Sequence, residues 1–102
     1  MTAIYKILRA AEWAAFEAAG VFEGSADDLR DGYIHMSAAE QLDGTRGRYF
    51  AGETGLVLLT LDAETLGDGL RWEEARAGQS FPHLYRALRR ADVEAVTLLA
   101  PA

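Results

Sequence analysis

Hydrophobic spacing switches period repeatedly along this chain. Ile4 to Leu8 is β-prone and predicts a first strand. From Ala10 to Ala19, Trp13, Phe16 and then Ala19 or Gly20 recur at helical spacing, which predicts an amphipathic helix ended by Gly20. Val21-Phe22-Glu23 is too short to assign. Ser25 offers an N-cap, with Asp27 and Asp28 in a first turn that runs to Arg30. Leu56 to Asp62 is the most apolar run and predicts a strand covered on both faces. It lies between a turn at Gly52–Gly55 and a turn-rich connection at Ala63–Gly69. Leu70 to Glu74 is a further strand, and Ala77 to Ser80 a turn. Pro82 assigns Phe81 to Tyr85 to a sheet edge or a strand start. Leu84 to Arg90 fits strand or helix. Val93 to Leu99 closes the chain as a strand.

The stretch Asp31 to Gln41 organises the rest. Tyr33, His35 and Ser37 alternate with Ile34 and Met36, so one strand presents a phenol, an imidazole and a hydroxyl on one face. Ile34 and Met36 belong in the core. Ser37 with Glu40 has capping-box spacing, which predicts Ser37 as the N-cap of a helix from Ala38 to Phe50, weakened at Gly44 and Gly47. A second stretch repeats the alternation: Phe81, His83 and Tyr85 share a face, with Leu84 turned inward. The two pair into one expectation, that His35, Ser37, His83 and Tyr85 line a common pocket.

Helices precede most strands, without regular βα alternation, so the fold class is α+β and mostly antiparallel. With 102 residues and no repeat or linker, one domain over 1–102 is expected. The net charge of −6 argues against a nucleic-acid binder, although Arg46 with Arg48, and Arg86 with Arg89 and Arg90, form local basic clusters. Cysteine is absent, which removes thiolate chemistry and fits a reducing compartment. No signal peptide or membrane-spanning run is evident, so a soluble cytoplasmic protein is expected.

His35 is the first candidate for chemistry, because convergent polar groups beside aromatics build small-ligand pockets. Its plainer role is a half-buried imidazole bonded to backbone or Tyr33. Ser37 is either the helix cap or a ligand contact beside a helix N-terminus. His83 is a weaker candidate, since Phe81 and Tyr85 also fit a core. Glu73 and Glu74 point to opposite faces of their strand. Spacing alone does not give Glu73 a catalytic role, and a solvated carboxylate or an ion pair with an arginine serves as well. A metal site from His35, His83 and Glu73 has no supporting spacing, so no metal is expected.

These motifs resemble a known family. Asp31-Gly32-Tyr33-Ile34-His35-Met36-Ser37, Trp72-Glu73 and Phe81-Pro82-His83-Leu84-Tyr85, with Ile4 to Ile7 and Trp13 before them, identify the chain as a member of a small bacterial family of uncharacterised proteins, a domain of unknown function. The resemblance covers nearly the whole chain. That family's fold is similar to the ADP-ribosyltransferase fold, two small sheets around an NAD-binding cleft. The resemblance implies NAD or an ADP-ribose-like nucleotide as ligand. His35 and Glu73 are then the catalytic candidates, and Tyr33, His35, Ser37, Phe81, His83 and Tyr85 the ligand contacts. Arg48 and Arg86 are candidate phosphate contacts; Arg86 stands where the family mostly has Gly, and Tyr33 where Phe is usual. The implied activities are an NAD-using transferase or glycohydrolase, a catalytically inactive nucleotide-binding module, or an RNA 2′-phosphotransferase-like enzyme, the last disfavoured by the acidic balance.

Overall fold

The chain's β-prone and amphipathic segments assemble around one buried cluster. A computed structural model describes residues 1–101. In order, the elements are β1 (Ala3–Leu8), α1 (Ala10–Ala19), β2 (Val21–Phe22), α2 (Ala26–Asp31), β3 (Ile34–His35), β4 (Ser37–Ala38), α3 (Leu42–Tyr49), β5 (Val57–Asp62), β6 (Leu70–Glu74), β7 (Ser80–Leu84), β8 (Leu88–Arg89) and β9 (Val93–Leu98). Short 3-10 segments at Ala39–Gln41, Ala63–Gly69, Arg76–Gly78 and Arg90–Asp92 join some of them. The strands form three sheets, ordered β4-β1-β5-β9, β3-β7-β6 and β2-β8. Every pairing is antiparallel. The α+β, antiparallel expectation holds.

Ile4, Leu8, Phe16, Phe22, Ile34, Leu59, Leu61, Leu84 and Leu88 meet in the core, so all three sheets and α1 contribute to it. Phe16 is the buried face of α1, and Gly20 ends that helix at a φ of 77°. The pair β2–β8 assigns both the short Val21-Phe22 segment and part of the open stretch after Leu84. β5 departs from its expected burial. Leu59 and Leu61 are fully buried, but Leu58 and Thr60 are only half-buried, because the core cluster takes only the face that carries Val57, Leu59 and Leu61.

The strand expected over 33–37 is in fact two strands in two sheets. Ile34 and His35 pair with Leu84 and His83 of β7; Ser37 and Ala38 pair with Tyr5 and Ile4 of β1. Met36 lies at the crossing and donates its backbone N–H to the Pro82 carbonyl, 3.0 Å away. This crossing corrects the helix start. The ladder with β1 takes Ser37 and Ala38, so α3 begins only at Leu42, and Ser37 is not its cap. The capping work falls to Gln41. Its Oε1 accepts from the Ala38 N–H at 3.0 Å, and its Nε2 donates to the Ser80 carbonyl at 2.7 Å.

Pro82 is not on an edge either: β7 is the middle strand of its sheet. The carbonyl of a strand residue points the same way as its N–H position. The Pro82 carbonyl faces Met36, so the missing N–H lies on that side, just past the end of two-residue β3. The ladder to β6 therefore loses no bond at proline.

Candidate functional site

The division of one segment between two sheets leaves a cleft of about 280 Å³ beside it. Its lining includes His35, Ser37, Phe81 and His83, as the alternation predicts, together with Tyr33. Tyr85 and Glu73 stand behind this wall and do not line the cleft. Arg48 and Arg86 do not line it either. Arg48 lies over the Tyr49 ring, and Arg86 is held by Asp92 at 2.8 and 3.2 Å. Arg46 is tied to the Ala100 carbonyl.

The most constrained part of the site starts at Lys6. In β1, Lys6 is two residues from both Ile4 and Leu8, so it shares a face with core residues. A buried ammonium needs a paired carboxylate, and Asp28 of α2 supplies it, with Nζ 2.9 Å from Oδ2. Asp28 is 2% exposed and accepts from several donors. Besides Lys6, these are the His35 ring Nδ1 at 2.6 Å, the His35 backbone N–H at 3.1 Å and the Ser25 N–H at 2.9 Å. Burial pushes an acid up. Here the hydrogen bond from His35, the charge and hydrogen bond of Lys6, and the Ser25 N–H outweigh it and hold the carboxyl well below the usual carboxylate range. Gly24 makes room for this centre: its φ is 133°, and a Cβ there would lie 2.7 Å from the Asp28 Cβ.

His35 is therefore spent on the protein. Nδ1 contacts Asp28, and Nε2 lies 2.9 Å from Oδ2 of Asp31. What His35 offers the cleft is its ring. The hydrogen bond from Arg30, with the charges of Arg30 and His35 behind it, holds the Asp31 carboxyl below its ordinary range.

His83 is arranged differently. It faces His35 in register across β3 and β7, with ring centroids 5.7 Å apart. Its Nδ1 lies 2.8 Å from Oε1 of Glu73, an oxygen that also accepts from the Tyr85 hydroxyl at 2.7 Å. A carboxylate only accepts, so Nδ1 donates, and in the neutral form of the ring Nε2 carries the lone pair. No hydrogen-bond partner for Nε2 occurs among the described residues. The bonds from Tyr85 and His83 lower the Glu73 carboxyl, and the bond to Glu73 raises the Tyr85 phenol. Tyr33 stacks on His83 with centroids 4.0 Å apart and contacts His35 at 4.6 Å. Desolvation first, then the charges of Asp31 and Glu73, raise the Tyr33 phenol.

The sequence reading missed Lys6, Asp28 and Arg76. Lys6 carried a signal, as an ammonium in register with Ile4 and Leu8. Asp28 read as an ordinary first-turn acid, a role it also fills, since Ser25 and Asp28 form a reciprocal capping box. Among the described residues, no group of three or more His, Asp or Glu side chains converges as metal ligands, and no helix is long and apolar enough to cross a membrane.

Fold and site define a small α+β protein with a cleft walled by histidine and tyrosine between two antiparallel sheets. The chain belongs to the family described as "Protein of unknown function (DUF952)", whose model matches residues 7–96. It is similar to protein CC0527 from Caulobacter crescentus. The crystal structure of that protein is 52% identical with a TM-score of 0.95, over 97% of this chain and 87% of that one. Its solution NMR structure is 54% identical with a TM-score of 0.87, over 97% and 85% of the two chains. No curated protein matches the chain.

Proposed function

We propose that the cleft binds an NAD- or ADP-ribose-type nucleotide. The observation that carries this reading is the Tyr33–His83–His35 wall: three flat rings packed together, with His83 Nε2 left without a protein partner among the described residues. A heterocycle packs on such a wall, and a ribose hydroxyl donates to an imidazole lone pair. The likeness expected between this family's fold and the ADP-ribosyltransferase fold supports the same ligand class, at the level of fold analogy. The acidic net charge is no obstacle locally. Glu12, Asp27, Asp28 and Asp31 line the cleft against Lys6, Arg9, Arg30 and Arg76, so the formal charges cancel there. Calorimetric titration with NAD, ADP-ribose and AMP tests the proposal. Binding by at least one is expected; none at millimolar concentration overturns it.

A second reading, an NAD glycohydrolase or transferase, is favoured by the Glu73–His83 pair. A carboxylate that holds the Nδ1 of a cleft-lining histidine and leaves Nε2 without a protein partner is the arrangement of a general base. In that reaction the bond between nicotinamide nitrogen and ribose C1′ breaks, and nicotinamide leaves with the electron pair. Water or an acceptor hydroxyl adds at C1′ and gives its proton to Nε2. Glu73 then acts through His83 and not at the sugar. Nicotinamide release that is lost in Glu73→Gln, with NAD binding retained, supports the enzyme; binding without release supports a module that only holds its ligand.

A further inference from the structure

We propose that Arg76, Thr45 and Ser37 form an oxyanion subsite that takes a phosphate group of the cleft's ligand. The identity of the whole ligand rests on the nucleotide reading above, but the subsite has observations of its own. Of the four cations lining the cleft, three are matched by carboxylates: Lys6 by Asp28, Arg9 by Glu53, and Arg30 by Asp27 and Asp31. Arg76 has no carboxylate at salt-bridge distance among the described residues. An arginine kept in a cleft without an acid is a cation available to a ligand.

The guanidinium of Arg76 is positioned rather than loose. It lies over the Phe81 ring at 4.8 Å and the Tyr49 ring at 5.4 Å, and Nη2 donates to Thr45 Oγ1 at 3.1 Å. That uses one of its five N–H donors. The backbone that presents it is strained. Ala77, next in the chain, has a φ of 55°, the one positive φ outside glycine among the described residues. Such conformations are held where the surroundings demand them, commonly at ligand sites.

The hydroxyls extend the donor set. Ser37 Oγ and Thr45 Oγ1 are 2.8 Å apart, and Ser37 is 3% exposed. Two hydroxyls have two hydrogens and spend one on each other. The second, on whichever residue carries it, is left to donate. The acids of the cleft already have partners, Glu12 included, which accepts from the Arg9 N–H at 2.8 Å. An incoming anion meets carboxylates that already have hydrogen-bond partners, a guanidinium fork and a hydroxyl. Several donors around one point suit a tetrahedral phosphate. Phe81 and His83 are two residues apart on β7, about 7 Å along the strand. A phosphate at Arg76 and a ring on the Tyr33–His83 wall thus belong to one ligand, with a sugar between them.

The test compares AMP with adenosine at fixed ionic strength, against the wild type, Arg76→Gln and Thr45→Val. In Arg76→Gln, AMP binding should weaken roughly 10- to 100-fold while adenosine binding stays unchanged. Thr45→Val should weaken AMP by a smaller factor, roughly 3- to 10-fold. Equal losses for both ligands, or no loss for AMP, overturn the subsite. If neither ligand binds the wild type, the nucleotide reading is decided separately by the NAD and ADP-ribose titrations, and pyrophosphate decides the subsite. Amide shifts at Thr45 and Arg76 that disappear in Arg76→Gln uphold it; shifts that persist in the variant, or none at millimolar concentration, overturn it. Circular dichroism checks that each variant is folded. Should Arg76→Gln fail to fold, Arg76→Lys, which keeps charge but loses the fork, is titrated with the same two ligands. A loss confined to AMP then upholds the subsite, and equal losses or none overturn it.

Discussion

Two histidines facing each other across a ladder have different surroundings, and the difference lies in what each nitrogen touches. His35 has both nitrogens against carboxylates, Asp28 and Asp31. His83 has one against Glu73. Substitution should separate them. His35→Ala removes a donor to a buried carboxylate and should cost about 1.5–3 kcal/mol of stability, read from urea unfolding. His83→Ala should act first on ligand binding; equal binding by wild type and variant would falsify that assignment. Asp28 makes the strongest prediction at this scale. Asp28→Asn leaves Lys6 as a buried, uncompensated ammonium, and should cost about 3–5 kcal/mol. Its folded pKa is depressed, so its contribution is present above its unfolded value, about 3.9, and is lost as pH falls through the depressed folded value. The unfolding free energy of the wild type should therefore decline on acidification below about pH 4, and Asp28→Asn should flatten part of that decline. An identical acid limb in both proteins would remove Asp28 from the account.

The elements are held by contacts that sequence spacing misassigns by a residue or two. Gln41, and not Ser37 with Glu40, closes the entry to α3, bridging the Ala38 N–H and the Ser80 carbonyl. Gln41→Ala leaves the buried Ala38 N–H and the part-buried Ser80 carbonyl without their partner and should cost about 1–3 kcal/mol, whereas Glu40→Ala, at an exposed position, should stay within about 0.5 kcal/mol. Unfolding midpoints in the reverse order would restore the Glu40 capping box. Pro82 offers a complementary check. Its absent N–H points past the end of β3, so Pro82→Ala should leave the β6–β7 pairing intact, visible as unchanged protection of amides in Leu70–Glu74.

Across the whole molecule, stability is expected to be uneven. β1 is paired on both sides and carries Ile4 and Leu8 in the core, while β9 pairs only with β5 and has Val96 and Leu98 exposed. Native-state hydrogen exchange should find the slowest amides in β1 and β5 and faster ones in β9. Uniform protection across the four strands would contradict this gradient. The cleft borrows from both regimes. Lys6 and Asp28 belong to the slow core, whereas Arg76 sits on the 3-10 connection between β6 and β7.

What the sequence determined by itself was local. Alternation over Tyr33–Ser37 and Phe81–Tyr85 set which side chains share a face, helical spacing set α1, and turn residues set the gaps between strands. Those features depend on neighbours two to four positions apart, so a linear reading reaches them. The tertiary structure alone decided the pairing partners. It sent His35 to β7 and Ser37 to β1 although one residue separates them. It joined Lys6 to Asp28 across 22 positions, and Arg76 to Thr45 across 31. A buried charge is stable only opposite its counter-charge, and a strand's hydrogen-bonding edge accepts whichever strand packing brings to it. Both are settled by long-range burial, which local spacing does not encode.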